Sequence, residues 1–332
     1  MKSITIPYRQ ENHDDFDAEW PLQSGVSGWW YITGYFTEAG KPGELYSYQF
    51  TVIRPKILFL APWVLQLAIT DVASGRHLFT QRMKLSDPDI YVTEYTVHYL
   101  DFAHLKREND HMHLVVKAET FDLDVILDKG KGATWHADDG VLVMGGAEDP
   151  KRRTVYYSYT NMPTKGSVVF RDPHGENRTM QVTGKSWFDR QWGPYQLMKA
   201  NTHWEWFSLR FFDEEEVMLF SFPQCPYQDG TYVGKNKERR LVRDYTLTPL
   251  AYTVAAGMRF TKGWNLYMPG IKEEKYEIRP LTDGQLNLAY FELIAGIINP
   301  AGEQVGLCMV ELLPGARNPQ SRINPLNMFK KV

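Results

Sequence analysis

The chain has few of the features that define the commonest protein classes. Its 332 residues contain two cysteines, Cys225 and Cys308, which excludes a disulfide scaffold and a four-thiolate metal site. The 37 basic and 40 acidic side chains give a net charge of −3, which argues against a nucleic-acid binder or a polybasic membrane anchor. The longest apolar run, residues 57–69, is interrupted by Pro62 and Gln66 and is too short to span a membrane.

Sequence motifs of the familiar catalytic classes are also missing. The chain has no GxxxxGK[ST] phosphate loop, no GxGxxG, no GxSxG and no HExxH. The polar N-terminal segment, residues 1–19, has no apolar signal-peptide core. We therefore predict no metal, nucleotide or flavin cofactor, no nucleic-acid partner and no membrane span. The default expectation is a cytoplasmic monomer.

Aromatic residues are abundant, at 14% of the chain, and most of the sequence alternates with a period of two. Both features favour strands. Turn signals containing glycine separate the runs, and no βαβ alternation appears. The strand-like runs cover residues 29–36, 46–53, 64–71, 91–99, 113–121, 155–159, 204–212, 216–222, 276–279, 288–297 and 305–312.

This spacing predicts an all-β protein built from antiparallel barrels or sandwiches. A polar stretch at residues 171–179 divides the chain into two halves, each of the size of one small barrel. We therefore expect an N-terminal domain over residues 1–182 and a C-terminal domain over residues 183–332.

The densest cluster of polar and aromatic side chains surrounds Asp189. The carboxyl of Asp189, the guanidinium of Arg190 and the carboxamide of Gln191 lie between Trp187 and Trp192. Apolar walls with a few polar groups are typical of a small-molecule pocket. We predict Asp189, Arg190 and Gln191 as catalytic residues.

Aromatic strands in both halves of the chain provide candidate pocket walls. In the C-terminal half, Trp204, Trp206, Ser208 and Arg210 would share one face of a strand. In the N-terminal half, Arg54 ends a strand and would need a buried partner, such as Asp189. The predicted substrate-binding residues are Trp29, Tyr31, Phe50, Arg54, Trp187, Trp192, Trp204, Trp206 and Ser208.

Two simpler interpretations stay open from the residues alone. A strand rich in tryptophan is usually part of a hydrophobic core. An adjacent aspartate and arginine, such as Asp189 and Arg190, usually form a structural or surface ion pair.

Several segments, taken in chain order, resemble the family of bacterial carotenoid 1,2-hydratases and AttH-like proteins, which includes kievitone hydratase and decalin-forming Diels–Alderases. The segment GWWYITG at residues 28–34 resembles the family pattern E-W-W-Y-x-T-G, and residues 184–193 resemble G-x-x-W-x-D-H-x-W-G. Further similar segments are YQFTVIR at residues 48–54, WEWFSL at 204–209, YFE at 290–292 and VEL at 310–312.

The resemblance implies two lipocalin-like β domains packed side by side, a hydrophobic ligand and no cofactor. It also implies that Asp189 is the proton donor, with Trp187 two residues before it. Three positions depart from the family pattern: Gly28 replaces a glutamate, Arg190 replaces a histidine, and residues 156–161 lack a His-x-Trp pair. The chain therefore resembles the AttH-like and cyclase branches more than the carotenoid hydratases.

We predict a cofactor-free enzyme that cyclises, isomerises or hydrates a polyene or isoprenoid in an aromatic-lined pocket. In an acid mechanism, burial would raise the pKa of Asp189, whereas pairing with Arg190 would lower it. In a pericyclic mechanism, Gln191, Ser208 or Arg210 would activate a carbonyl by hydrogen bonding. The alternative function is a non-catalytic, lipocalin-like carrier of a lipophilic metabolite.

Overall fold

Antiparallel strands form nearly all of the regular structure, which confirms the predicted all-β class. The computed structural model describes residues 16–57, 59–145, 150–171, 175–195, 203–223, 227–288 and 290–313. Within these ranges, the helices are one α-helical turn at Phe16–Glu19 and one 3₁₀ turn at Pro150–Arg152. No helix of the described residues is long and apolar enough to cross a membrane.

The strands fall into two sheets that follow each other along the chain. The first contains β1 Ser27–Glu38, β2 Lys41–Arg54, β3 Trp63–Asp71, β4 Arg76–Lys84, β5 Ile90–Val92, β6 Thr96–Tyr99, β7 Ala103–Arg107, β8 His111–Lys117, β9 Phe121–Asp128, β10 Ala133–Trp135, β11 Val141–Val143, β12 Arg153–Phe170 and β13 Arg178–Gly193. The second contains β14 Trp204–Phe211, β15 Glu216–Ser221, β16 Gln228–Val233, β17 Arg239–Leu241, β18 Thr246–Ala255, β19 Met258–Met268, β20 Lys272–Pro280, β21 Leu286–Asn287, β22 Tyr290–Ile298 and β23 Gln304–Leu313.

Within each sheet, most neighbouring strands are also neighbours in sequence. The first sheet has the order β4-β3-β2-β1-β13-β12-β9-β8-β7-β6-β5, with β10 and β11 paired to β12. The second has the order β17-β16-β15-β14-β23-β22-β20-β19-β18, with β21 paired to β22. In both sheets the last strand of the sheet returns to pair with the first, β13 with β1 and β23 with β14.

Each sheet curls around its own hydrophobic core, as expected for two lipocalin-like domains. The predicted boundary after residue 182 lies within β13, whose residues 182–193 pair with β1. The last strand of the first sheet ends at Gly193, and the first strand of the second sheet begins at Trp204.

A third cluster of buried side chains fills the space between the two sheets. It explains why β14 is buried at every position, although a strand on a barrel wall normally buries every second residue. Phe207 and Leu209 point into the core of the second sheet, whereas Trp204 and Trp206 point toward the first sheet. The faces predicted for this strand are confirmed.

Candidate active site

A cavity of about 80 Å³ lies between the two sheets, and we call it the interdomain cavity. Strands β1, β2, β3, β12 and β13 form one wall, and β14, β15, β22 and β23 form the other. Its lining residues are Trp29, Tyr31, Gln49, Thr51, Ile53, Gln66, Tyr156, Asp189, Gln191, Trp204, Trp206, Phe220, Tyr290, Glu311 and Leu313.

Strand alternation decides which side chains of β13 reach the cavity. Successive residues of a strand point to opposite faces. Trp187, Asp189 and Gln191 therefore face the second sheet, whereas Phe188 and Arg190 face the core of the first. The same alternation on β1 places Trp29 and Tyr31 at the cavity.

Asp189 is the centre of a buried hydrogen-bond network. Its Oδ1 accepts hydrogen bonds from the hydroxyl of Ser158 and from Trp187 Nε1, the latter at 2.6 Å. Its Oδ2 accepts one from Tyr156 Oη at 2.9 Å, and Tyr156 Oη in turn accepts one from Trp206 Nε1 at 3.0 Å. Side chains of three strands therefore fix the orientation of this carboxyl.

Burial controls the protonation of Asp189. Removal from water raises the pKa of the Asp189 carboxyl to about 7, although the hydrogen bonds from Ser158, Trp187 and Tyr156 lower it. The nearby carboxyl of Glu311 raises it further. A substantial fraction of Asp189 thus carries a proton at neutral pH.

A buried histidine extends the network behind Asp189. His136 lies in the loop between β10 and β11, and its Nε2 is 2.6 Å from Ser158 Oγ. Because the single hydroxyl proton of Ser158 goes to Asp189, Nε2 of His136 must be the donor to Ser158. Burial lowers the pKa of His136 well below its usual value, so the imidazole is neutral.

Two further carboxyl groups lie on the opposite wall. Glu292 and Glu311 occupy directly paired positions of β22 and β23. Trp204 Nε1 donates to Glu311 Oε1 at 2.5 Å, and Tyr31 Oη donates to Glu292 Oε2 at 2.9 Å. Burial raises the pKa of both glutamates, and the charge of Glu311 raises that of Glu292 further.

A chain of amides and one hydroxyl crosses between the sheets at the same level. Gln49 Nε2 donates to Tyr290 Oη at 2.9 Å, and Tyr290 Oη donates to Gln66 Oε1 at 2.8 Å. Asn287 Nδ2 donates to Gln49 Oε1 at 2.7 Å. These hydrogen bonds connect the two walls of the cavity.

Arg190, predicted as catalytic, lies outside the cavity. Its guanidinium donates to the main-chain carbonyl groups of Glu19 and Trp20 at 3.0 Å and of Pro21 at 2.8 Å. It also lies 4.2 Å from the ring centroid of Trp30. An ion pair between Arg190 and Asp189, which the sequence left open, does not form, because adjacent strand residues point to opposite faces.

Two departures from the family pattern are neighbours in space. A Cβ atom on Gly28 would lie 3.1 Å from Arg190 Nη1, so the glycine leaves room for the guanidinium. Gly28 and Arg190 therefore form one local substitution on the core side of the first sheet, away from the cavity.

Five predicted binding residues, Trp187 behind Asp189 and four others, are not part of the cavity lining. Phe50 packs in the core of the first sheet, since Gln49 and Thr51 take the cavity face of β2. Arg54 covers the ring of Trp63 at 4.7 Å and donates to Ala61 O at 3.4 Å. Trp192 Nε1 donates to Glu19 Oε2 at 2.6 Å, and Ser208 lies buried on the same face of β14 as Trp206, outside the lining.

The other predicted residues gather at the cavity. Trp29, Tyr31, Asp189, Gln191, Trp204 and Trp206 line it. Gln191 Nε2 donates a hydrogen bond to Thr154 Oγ1 at 2.7 Å. Trp187 lies outside the lining and donates a hydrogen bond from Nε1 to Asp189 Oδ1. The sequence interpretation missed the polar partners His136, Tyr156, Ser158, Glu292 and Glu311. The last two stand within the resemblance segments YFE and VEL, so those segments carried a usable signal.

The fold defines the class: a two-domain, lipocalin-like β protein with a buried, largely aromatic cavity between its two sheets. The sequence profile of the AttH-like family matches residues 2–315, and the chain belongs to this family. No curated protein matches the sequence significantly.

Solved structures share the fold across almost the whole chain. A Nitrosomonas europaea protein assigned as an AttH has 20% identity and a TM-score of 0.75, over 95% of this chain and 99% of that one. Kievitone hydratase from Nectria haematococca has 17% identity and a TM-score of 0.71, over 95% and 98%. CghA in complex with Sch210972 has 12% identity and a TM-score of 0.55, over 87% and 89%.

Proposed function

We propose that the protein is a cofactor-free enzyme that protonates an unsaturated, hydrophobic small molecule, with Asp189 as the acid. One observation carries this proposal: a fully buried carboxyl with a pKa of about 7 lies at the wall of an aromatic cavity. A general acid is most effective when its pKa is near the working pH.

The hydrogen bonds around Asp189 favour one oxygen as the proton donor. Oδ1 accepts two hydrogen bonds, from Ser158 and Trp187, whereas Oδ2 accepts one, from Tyr156. Each carboxylate oxygen has two lone pairs, so Oδ2 is the oxygen with a free position for a proton. Protonated Oδ2 would then deliver that proton to a carbon atom of the ligand.

The aromatic walls would stabilise the cation that protonation creates. Tyr31 packs edge-on against Trp206 at 5.6 Å, and Trp187 packs edge-on against Trp206 at 5.9 Å. A cation over an aromatic face gains about 0.5–2 kcal/mol. Capture by water gives hydration, and attack by an internal alkene or hydroxyl gives cyclisation, each after loss of one proton. Loss of a neighbouring proton from the first cation gives isomerisation, and in each case the proton that is lost restores the acid form of Asp189.

The lining also limits the substrate. None of the described residues that line the cavity is a lysine or arginine, so nothing there compensates a phosphate or carboxylate. The volume of about 80 Å³ is roughly half that of a cavity of about 150 Å³ that binds benzene. We therefore expect a substrate without a negative charge that places one reacting group, rather than an entire polyene, in the cavity.

Mass spectrometry of a lipophilic metabolite extract incubated with the purified protein tests the proposal. A product one water heavier would establish hydration, and a product of unchanged mass but new retention time would establish cyclisation or isomerisation. Boiled protein is the control. A compound that binds and is recovered unchanged would contradict the proposal and favour the carrier function.

The pH profile should respond to the Tyr156→Phe change. The rate should fall as the pH rises through about 7, because Asp189 must be protonated. Tyr156→Phe removes a donor that lowers this pKa, so the fall should move to higher pH, by on the order of 1 unit. Tyr157→Phe is the matched control, because Tyr157 Oη faces the first core and donates to Phe16 O at 3.3 Å. A shift to lower pH in Tyr156→Phe would contradict the role of Asp189.

A further inference from the structure

The two glutamates opposite Asp189 are placed unlike two other buried glutamates, Glu205 and Glu216. Glu205 is satisfied by hydrogen bonds from Thr261 and Trp264, and Glu216 by Lys131. By contrast, Oε1 of Glu292 is buried and accepts no hydrogen bond. Glu292 also lies directly opposite Glu311 in the pairing of β22 with β23.

The two carboxyl groups therefore have each other as partners. Among the residues that the structure describes, no lysine or arginine forms an ion pair with Glu292 or Glu311. Two buried carboxyl groups in contact share one proton, because both cannot ionise without a counter-charge. Burial and the charge of Glu311 both raise the pKa of Glu292, so we place the shared proton on Glu292 and the negative charge on Glu311.

Glu311 reaches the interdomain cavity, and Glu292 stands behind Tyr31. The cavity thus combines one negative charge with the rings of Trp29, Tyr31 and Trp206. Aromatic side chains recognise quaternary ammonium ions through the faces of their rings, and a nearby carboxylate adds an opposite charge.

We propose that the interdomain cavity is a receptor for a compact lipophilic cation, whose charge is balanced by Glu311 in its shared-proton pair with Glu292. This inference deepens the proposed function, and rests on it for the cavity as the substrate site, since a carbocation formed there carries the same charge. It also extends the ligand class to small ammonium compounds, which carry that charge permanently.

Binding of choline against its uncharged isostere, 3,3-dimethylbutan-1-ol, tests the inference. The two molecules have nearly the same shape and differ by a nitrogen and a charge, so the cavity volume of about 80 Å³ restricts both of them equally. Titration near pH 6, below the Asp189 pKa of about 7, keeps that carboxyl largely neutral. Followed by calorimetry or tryptophan fluorescence, choline should bind at least about tenfold more tightly than the isostere.

The two glutamates should respond differently to substitution. Glu311→Gln removes the charge, so the preference for choline should fall to within about twofold. Glu292→Gln leaves Glu311 ionised, so the preference should persist. Glu205→Gln is the control, because its carboxyl is buried in the core of the second sheet.

The relative affinity for choline and its isostere can contradict the inference in three ways. Equal binding of choline and the isostere by the wild type would overturn it, even if Glu311→Gln failed to fold. So would a preference retained in Glu311→Gln or lost in Glu292→Gln. The Asp189→Asn variant should keep the preference, so a failure of acid catalysis and a failure of cation binding are separable.

Discussion

Replacing Asp189 with asparagine is expected to lower the turnover number by about 10²–10⁴-fold, the usual contribution of a general acid. Asparagine keeps the size of the side chain and the acceptor oxygen for Ser158 and Trp187. Its amide protons are not acidic, so it cannot act as a general acid. Ligand affinity should change far less than turnover, because the aromatic walls are untouched.

The same variant should be more stable than the wild type above neutral pH. The carboxyl of Asp189 has a pKa of about 7 in the folded chain, raised from 3.8. A raised pKa means that the folded state binds the proton more tightly than the unfolded state. Stability is therefore lost as the pH rises from about 4 to about 7, by up to about 1.4 kcal/mol per pKa unit.

Urea unfolding of both proteins at several pH values measures this effect. The free energy of unfolding of Asp189→Asn, relative to that of the wild type, should rise from about pH 4 to about pH 7 and then stay constant. Asp229→Asn is the control for turnover, because Asp229 is buried beside Tyr227 and Arg243, away from the cavity. Unchanged turnover in Asp189→Asn would exclude the acid mechanism.

Replacing Arg190 with methionine should lower the free energy of unfolding by about 3–5 kcal/mol. Burial lowers the pKa of the guanidinium to about 10, so it remains charged at neutral pH. Carbonyl groups of Glu19, Trp20 and Pro21 surround this charge and would lose their donor in the variant. Methionine fills much of the space but donates no hydrogen bond.

The Arg190→Met variant distinguishes a role of Arg190 in stability from a role in catalysis. Unfolding in urea measures the loss, and Arg279→Met is the control, because the pair of Arg279 with Glu277 is exposed to solvent and contributes little to stability. The folded fraction of Arg190→Met should keep the pH profile of the wild type. A shifted profile with unchanged stability would show that Arg190 acts on Asp189 after all.

The fold could be predicted from the sequence because alternation and turn signals are local. The face of each residue on β13 and β14 was predictable for the same reason. Applied strictly, alternation also excludes the pairing of Asp189 with Arg190, since neighbours on a strand diverge.

The partners of Asp189 could not be predicted in this way. Tyr156 and Ser158 come from the adjacent strand β12, and their register against β13 depends on the pairing of the whole sheet. His136 comes from a loop, and Glu292 and Glu311 come from the other domain. Such contacts depend on how two finished sheets pack, which no short sequence pattern records.

The protonation of Asp189 can be observed directly by infrared spectroscopy of protein labelled with ¹³C at the aspartate carboxyl carbon. The difference between wild type and Asp189→Asn isolates the carbonyl stretch of one protonated carboxyl. We predict that this band disappears with a midpoint near pH 7. A midpoint below about pH 5, the ordinary range of aspartate, would contradict the proposal that Asp189 is a proton donor at neutral pH.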